Sequence, residues 1–329
     1  MKRNTKLPKK MKLPGARTVR VLMLTDLCCG VGGFSEGAKK HLRLGVAVDN
    51  DEEVLKIYRQ NHPNATATVD DATSMHFAGG PGVHVHASFP CQHLSVARSS
   101  PEEHQVQGAI RNIRSFVETC ATRGDVHSFS LETVCTSSTV GIARDLAESM
   151  HAVGYVVVEM KHCGVASARK RLIITTRMLA NALRRDETLP LVGAKEAFSN
   201  AKLEVPVGTL YIKNHRGQGR NTFTRLLDPS ATITSTALAF ADAQWRTVRM
   251  LSPTDSAVLM GFPKDYALPT RQRDAQRAVG NAVPPPFAER VAKWALLAMQ
   301  LKPLTVVIPR APIRLNAIDR EIAALKRER

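Results

Sequence analysis

Cys91 stands between Pro90 and Gln92, just past the alternating apolar stretch Val83-His84-Val85-His86-Ala87-Ser88-Phe89. A cysteine on a proline-shaped turn can attack an electrophile once it is a thiolate. It can equally be a buried structural thiol, and the residue alone leaves both open. Glu132 follows the strand-like segment Val126–Leu131. A carboxyl there can give up a proton in a reaction if desolvation raises its pKa, or it can be a solvated loop acid. Arg169 and Arg171 flank Lys170 ahead of another apolar run, and strand alternation puts both arginines on one side. The plain alternative is a solvated basic edge.

A second group lies near the N-terminus. Asp26-Leu27-Cys28-Cys29-Gly30-Val31-Gly32-Gly33-Phe34 places three glycines between an apolar strand and a helix. Glycines there let the backbone approach a ligand, and a helix start presents free N–H groups. The spacing is not G-x-G-x-x-G, so a dinucleotide is not the default ligand. Asp49, about 20 residues further on, can accept both hydroxyls of a ribose. Asp71 adds a polar contact for an adenine edge. The set fits a nucleoside-containing cofactor, or a tight turn that merely packs. His84, His86, Cys91 and His93 fit no zinc spacing, so no metal site is expected.

These residues need a frame. The sequence predicts strands at Val19–Thr25, Gly45–Val48, Val83–Ser88 and Val126–Leu131. It predicts helices through about residue 42 and over 51–61, 106–122 and 139–152, then a hairpin-like pair at Tyr155–Lys161 and Arg171–Thr176. Strands alternating with helices imply an α/β fold with a mostly parallel sheet covered on both faces. The pattern degrades after Met178: residues 180–224 carry mixed charge, several glycines and weak periodicity, and read as a loop-rich module. Ser252-Pro253-Thr254-Asp255 reads as a helix N-cap with proline in the first turn. Residues 287–300 form an amphipathic helix and 314–329 a basic one.

The chain has 329 residues, enough for one large domain or two smaller ones, and 43% hydrophobic residues, enough for a core. Net charge is +17. Residues 1–20 hold eight Lys or Arg and no acid, so the remaining chain still carries +9. That balance favours a polyanionic partner, most simply nucleic acid. Aromatics at 5% argue against a surface built on many stacked bases. Six cysteines with no C-x-x-C pair and no signal peptide point to a reducing, intracellular compartment: cytoplasm or nucleoid, or a host nucleus for a viral chain. No apolar run approaches the roughly 18 residues of a membrane span.

Taken in order, the motifs resemble the cytosine-C5 DNA methyltransferase family over residues 20–176 and 225–298. Asp26 to Phe34 resembles its S-adenosylmethionine turn, and Ser88-Phe89-Pro90-Cys91-Gln92-His93-Leu94-Ser95 the start of its catalytic loop. Leu131-Glu132-Thr133-Val134 resembles its Glu-Asn-Val element, and Ser167-Ala168-Arg169-Lys170-Arg171 its Gln-x-Arg-x-Arg element. Asp228 to Ser235, Arg249 to Tyr266 with Gly261-Phe262-Pro263, and Gly280-Asn281-Ala282-Val283-Pro284-Pro285 complete the series. Each motif is weak alone; the ordered set is specific.

The resemblance implies a Rossmann-like, S-adenosylmethionine-dependent methyltransferase sheet with a small loop-rich target-recognition domain. It implies a basic arm at 1–18, a catalytic domain from 19–178 and 279–302, a recognition domain and hinge at 179–278, and a basic tail at 303–329. It implies a monomer acting on double-stranded DNA. The target cytosine is flipped out. Cys91 adds to C6, Glu132 contacts N3 and the exocyclic amine, and Arg169 holds the O2 edge, with Arg171 in the same catalytic set. The cofactor set is Asp26, Gly30, Gly32, Gly33, Phe34, Asp49, Asn50, Asp71, Ala72, Pro90, Asn281 and Val283.

Three positions depart from the family pattern. Cys28 replaces an aromatic residue that stacks on adenine, Thr133 an asparagine that braces the Pro-Cys loop, and Ser167 a glutamine. None is a reacting group; slack in supporting positions predicts an active but slow enzyme. Lys213, Arg216 and Arg220 sit among glycines in the short recognition span, where they suit phosphate or groove contacts. Two other readings are a catalytically silent DNA-binding homologue, opposed by intact Cys91, Glu132 and Arg169, and the transfer-RNA branch of the family. The latter is expected to carry a Cys-Phe-Thr element, and Phe223-Thr224 lacks the cysteine.

Overall fold

Seven strands alternate with helices and join into one sheet. They are β1 (Met23–Leu27), β2 (Arg43–Asp49), β3 (Thr66–Val69), β4 (Val83–Ala87), β5 (Ser128–Val134), β6 (Val153–Glu159) and β7 (Lys170–Thr176). The computed structural model describes residues 22–74, 77, 82–90, 94, 102–216 and 220–300. The basic arm at 1–18, the motif residues Cys91, Gln92 and His93, and the tail at 303–329 lie outside the described residues.

The strand order is β3-β2-β1-β4-β5-β7-β6. Every pairing from β3 through β5 is parallel, and β7 runs antiparallel to both β5 and β6. This is the Rossmann-like arrangement, in which chain order reverses on either side of β1. Ligands bind such sheets at the carboxyl ends of the strands. Here those ends carry the glycine turn after β1 and the Ser88-Phe89-Pro90 segment after β4.

Two apolar layers cover the sheet. On one face Val85, Ala87, Phe129 and Leu131 pack against α3 (Glu103–Thr122) and α4 (Ser137–Ser149), through Ile110, Phe116, Ile142 and Leu146. On the other, Leu24, Val156 and Ile173 pack against α1 (Gly33–Ala38), α5 (Arg177–Arg185) and α9 (Pro285–Gln300). Each large side chain buried this way contributes about 1.5–3 kcal/mol. Local signals set the helix starts. Asp51 accepts from the Glu53 and Val54 N–H groups to cap α2 (Glu52–Asn61). Ser252 and Asp255 form a reciprocal capping box on α7 (Pro253–Leu259), with Pro253 in the first turn, as their order implies.

Two sequence expectations are corrected. Glu132 lies inside β5, not after it, because the strand continues to Val134 by pairing with β7. Residues 180–224 are also more regular than their weak periodicity suggests. They hold the end of α5, α6 (Ala194–Asn200), β8 (Tyr211–Arg216) and β9 (Arg220–Arg225), joined by irregular stretches. With β10 (Ala239–Ala241) and β11 (Thr247–Met250), the hairpin forms a four-stranded antiparallel sheet, ordered β11-β10-β8-β9. Ile212 and Phe240 pack one face of this small sheet against Phe198, Leu259 and Val279, and β10 is buried along its whole length. β10 and β11, of 3 and 4 residues, are each uniform in burial and too short for alternation to show. Among the described residues no helix is long and apolar enough to cross a membrane.

Candidate active site

Glu132 is 4% exposed, and Arg171 Nε lies 2.7 Å from its Oε1. The register explains the pair. Arg171 is opposite Val134 across the antiparallel β5–β7 ladder, so Glu132, two residues earlier, is its diagonal neighbour on the same face. Phe89, Pro90, Leu94, Leu131, Glu132 and Thr133 line one small cavity, closed by α3. The cavity therefore joins the segment after β4 to the buried carboxylate. Cys91, the next residue along, lies outside the described residues.

Arg169 and Arg171 both turn inward while Lys170 is exposed, as alternation implies. They serve different partners. Arg169 is 3% exposed, and its Nη1 donates to the carbonyls of Ile233 (3.2 Å) and Gly280 (3.0 Å). Arg169 thus ties β7 to the segment before β10 and to α8 (Gln272–Asn281), and Arg171 is the arginine that faces Glu132.

The glycine turn is sharp. Cys28, Gly30 and Gly32 all have positive φ, at 54°, 55° and 95°. The Gly30 N–H donates to Asp49 Oδ2 at 2.9 Å, and the Asp51 N–H to Asp49 Oδ1 at 3.1 Å. Burial pushes the Asp49 carboxyl up, against these backbone bonds. A Cβ added at Gly30 would stand in open space. At Gly32 it would meet His62 Nε2 at 2.5 Å and Tyr266 Oη at 2.9 Å, and at Gly33 it would strike the Val283 carbonyl. The turn therefore offers room at Gly30, beside Asp49, and closes against the protein at Gly32 and Gly33. That shape fits a nucleoside laid along the turn.

The other expected cofactor residues divide into two groups. Asn50, Asp71, Pro90 and Asn281 are exposed. Asp71 accepts from the Thr73 N–H (2.9 Å) and hydroxyl (2.7 Å), which hold its carboxyl below the usual range. Asp26, Phe34, Ala72 and Val283 are buried. Ser35 Oγ donates to Asp26 Oδ2 at 2.6 Å, and burial pushes the Asp26 carboxyl up to about 7. Asp26 and Phe34 thus shape the turn from beneath.

Several supporting residues carry no motif. His62 contacts Tyr266 Oη (3.0 Å) and the Gly32 carbonyl (3.3 Å), and Tyr266 donates to the Val31 carbonyl (2.7 Å). Tyr266 spends its one proton on Val31, so the His62 Nε2–H donates to it. Burial, aided by Lys39, lowers the His62 pKa to about 4. These partners are 204 residues apart, and spacing gives no hint of them.

The three departures behave differently. Cys28 is half-buried against the α3–α4 core. The buried Thr133 hydroxyl finds no hydrogen-bond partner among the described residues. Ser167 is well used: it donates to the Ala231 carbonyl (3.0 Å) and accepts from the Ile233 N–H (3.3 Å). The expectation of slack therefore rests on Cys28 and Thr133.

Away from this edge, the outer face of the second sheet presents Tyr211, Phe223 and Trp245. Phe223 stacks on Trp245 (ring centroids 5.4 Å apart, 25° between planes) and Lys213 Nζ lies 5.8 Å from its ring centre. Trp245 is 58% exposed and has a φ of 61°, a backbone region rare for bulky residues. Among the described residues no three His, Cys, Asp or Glu side chains are grouped to hold a metal.

Comparison with known proteins agrees with this geometry. A curated relative, the Type II methyltransferase M.MspI of Moraxella sp, is 22% identical over 237 residues, which is 65% of this chain and 56% of that protein. The chain thus spans about half the length of that relative. Among solved structures, a prophage-encoded E. coli protein described as a DNA modification methyltransferase superposes with a TM-score of 0.58 at 16% identity, covering 83% of this chain and 98% of that one. The S. pombe Dnmt2 methyltransferase gives 0.57 at 13% identity, covering 85% and 98%. At these identities the likeness is one of fold. Residues 22–181 and 179–296 match C-5 cytosine-specific DNA methylase, nearly the whole described chain, and the protein belongs to that family.

Proposed function

We infer that the protein transfers a methyl group from S-adenosylmethionine to C5 of a cytosine flipped out of duplex DNA. The observation that carries this reading is the buried Glu132–Arg171 pair beside Pro90, at the same sheet edge as the open glycine turn. The matching M.MspI is a Type II methyltransferase, which supports DNA as the substrate. One chain carries every group named, so a monomer suffices.

Asp49 and the backbone at Gly30 would hold the cofactor, which when bound supplies an electrophilic methyl on a sulfonium sulfur. The chain's own part is to make C5 of cytosine nucleophilic. The Cys91 thiolate forms a bond to C6, and the ring electrons this displaces make C5 able to take the methyl. The Glu132 carboxyl, beside Arg171, meets N3 and the exocyclic amine, and the proton it gives to N3 offsets the negative charge the ring acquires. Loss of the C5 proton then expels the Cys91 thiolate and restores the aromatic ring. Arg169, fixed between Ile233 and Gly280, frames the O2 side of the pocket.

Labelled S-adenosylmethionine with duplex DNA, transfer RNA as a parallel substrate, and Cys91→Ser as the control test the reading. Label in DNA from the wild type and none from the variant is expected. Absence of label in DNA rejects the assignment, and label only in transfer RNA moves it to the other branch of the family.

A further inference from the structure

We propose that His86 is a positioning residue for methyl transfer, one imidazole that ties together the cofactor turn, the Glu132 strand and the Pro-Cys segment; this rests on the methyltransferase reading above. His86 is 1% exposed, at the centre of the parallel sheet. Its Nδ1 lies 2.8 Å from Ser130 Oγ and its Nε2 2.8 Å from Ser88 Oγ. Its ring stacks on Phe34 with centroids 3.4 Å apart and planes 6° from parallel. Each of the three contacts leads to one part of the site. Phe34 directly follows Gly33 of the turn. Ser130 lies two residues before Glu132 on the same strand, so the two share a face. Ser88 opens the Phe89-Pro90-Cys91 segment, and its N–H also donates to the Leu27 carbonyl at the end of β1 (3.2 Å).

The chain of contacts extends past His86. His84 Nδ1 lies 2.8 Å from Ser128 Oγ, and its Nε2 3.0 Å from the same Ser130 Oγ. Burial holds both rings neutral, so each has one donor and one acceptor nitrogen. Ser130 has a single proton and touches two rings. At least one ring must donate to it, since its one proton cannot serve both. The series Ser128–His84–Ser130–His86–Ser88 is therefore one continuous run of contacts from β5 through both histidines to the segment after β4. Such a chain is costly to break, because each cut leaves buried polar atoms unpaired. An apolar pair at 84 and 86 would fill the same layer, but it would not fix the rotamers of Ser88 and Ser130. Fixing those rotamers is what places the segment after β4 relative to Glu132.

His86→Leu removes both nitrogens; His86→Gln keeps a donor and an acceptor. A misplacement near 1 Å costs about 100-fold in rate. The single-turnover rate of His86→Leu should accordingly fall about 100-fold while KM for DNA and for S-adenosylmethionine stays within about threefold, and His86→Gln should return to within about tenfold of wild type. Deuterium exchange in His86→Leu should rise in peptides covering 26–34, 84–90 and 128–134 and stay unchanged in 239–260. A wild-type rate, a loss carried by KM, no rescue by glutamine, or exchange that rises only in β4 or everywhere overturns the proposal. Should His86→Leu not fold, Ser88→Ala and Ser130→Ala replace it. Non-additive losses in their double variant support one coupled unit, and additive losses overturn it. If the wild type methylates no DNA, the functional reading fails, and the exchange pattern alone decides whether His86 couples the three elements.

Discussion

The carboxyl edge of the large sheet and the outer face of the small one use polar and aromatic residues in opposite ways. At the large sheet several buried polar groups are held by fixed neighbours. Glu132 has Arg171, Asp26 has Ser35, His62 has Tyr266, and His84 and His86 share serines. The small sheet leaves an aromatic group in the open with Lys213 beside it. Residues 205–227, which include its hairpin, hold four Lys or Arg and a histidine with no acid. Its surface ion pairs, Arg225 with Asp228 and Arg246 with Asp242, are exposed on the arginine side and contribute little. Chemistry requires reacting groups held before the substrate arrives. Binding a long polyanion requires charge and stacking surface that is still uncommitted. On the proposed function, that contrast assigns chemistry to the large sheet and DNA contact to the small one.

The largest effect should come from breaking the committed side. Glu132→Ala removes the carboxyl proposed to meet the ring and strands Arg171; the single-turnover rate should fall about 10²–10³-fold, with DNA affinity nearly unchanged. A fall in affinity alone would place Glu132 outside the chemistry. Next, Gly32→Ala forces a Cβ onto His62 and Tyr266 at a φ of 95°. It should destabilise the fold by about 1–3 kcal/mol, read as a lower Tm, and weaken S-adenosylmethionine binding in calorimetry. Gly30→Ala has space for its Cβ and should affect cofactor affinity more than stability.

On the uncommitted side, Trp245→Ala should weaken DNA binding about tenfold and leave cofactor affinity and Tm almost untouched, the reverse of Gly32→Ala. Lys213→Ala should lower affinity uniformly across sequences and reduce the salt slope by about 1. Equal losses of cofactor and DNA affinity in either variant would erase the contrast between the sheets.

The smallest effect is on pH dependence. His62 and His84 are neutral in the fold, with pKa values lowered from 6.5 to about 4 and about 3. The unfolded chain binds their protons first, so stability should fall as pH drops below about 6.5 toward 3. Asp26 has the opposite sign: its pKa rises from 3.8 to about 7, so its contribution is lost as pH rises through that window. Asp26→Asn should therefore steepen the acid-side loss seen in denaturant melts between pH 4 and 6.5. An unchanged slope would show that Asp26 keeps an ordinary pKa.

Much of this was legible in the chain. Strand–helix alternation gives the sheet, and the motifs Asp26 to Phe34, Pro90, Glu132 and Arg169-Lys170-Arg171 fall together along its carboxyl edge. The His84/His86 pair left a trace as well: His-x-His in one strand and Ser-x-Ser at 128 and 130 in another share a period of two. What spacing could not say is that the two strands are neighbours in register, His84 opposite Ser128 and His86 opposite Ser130. Nor could it join His62 to Tyr266, or divide the two arginines between Glu132 and the Gly280 carbonyl.

The sequence by itself determined which groups can react, the alternation that makes a parallel sheet, and the basic balance that favours a polyanion. These depend on residue type and local period. Only the tertiary structure decided which arginine faces Glu132, which glycine faces open space, and which partners the buried histidines meet. Those outcomes depend on strand register and on contacts between residues hundreds of positions apart, where no local preference operates.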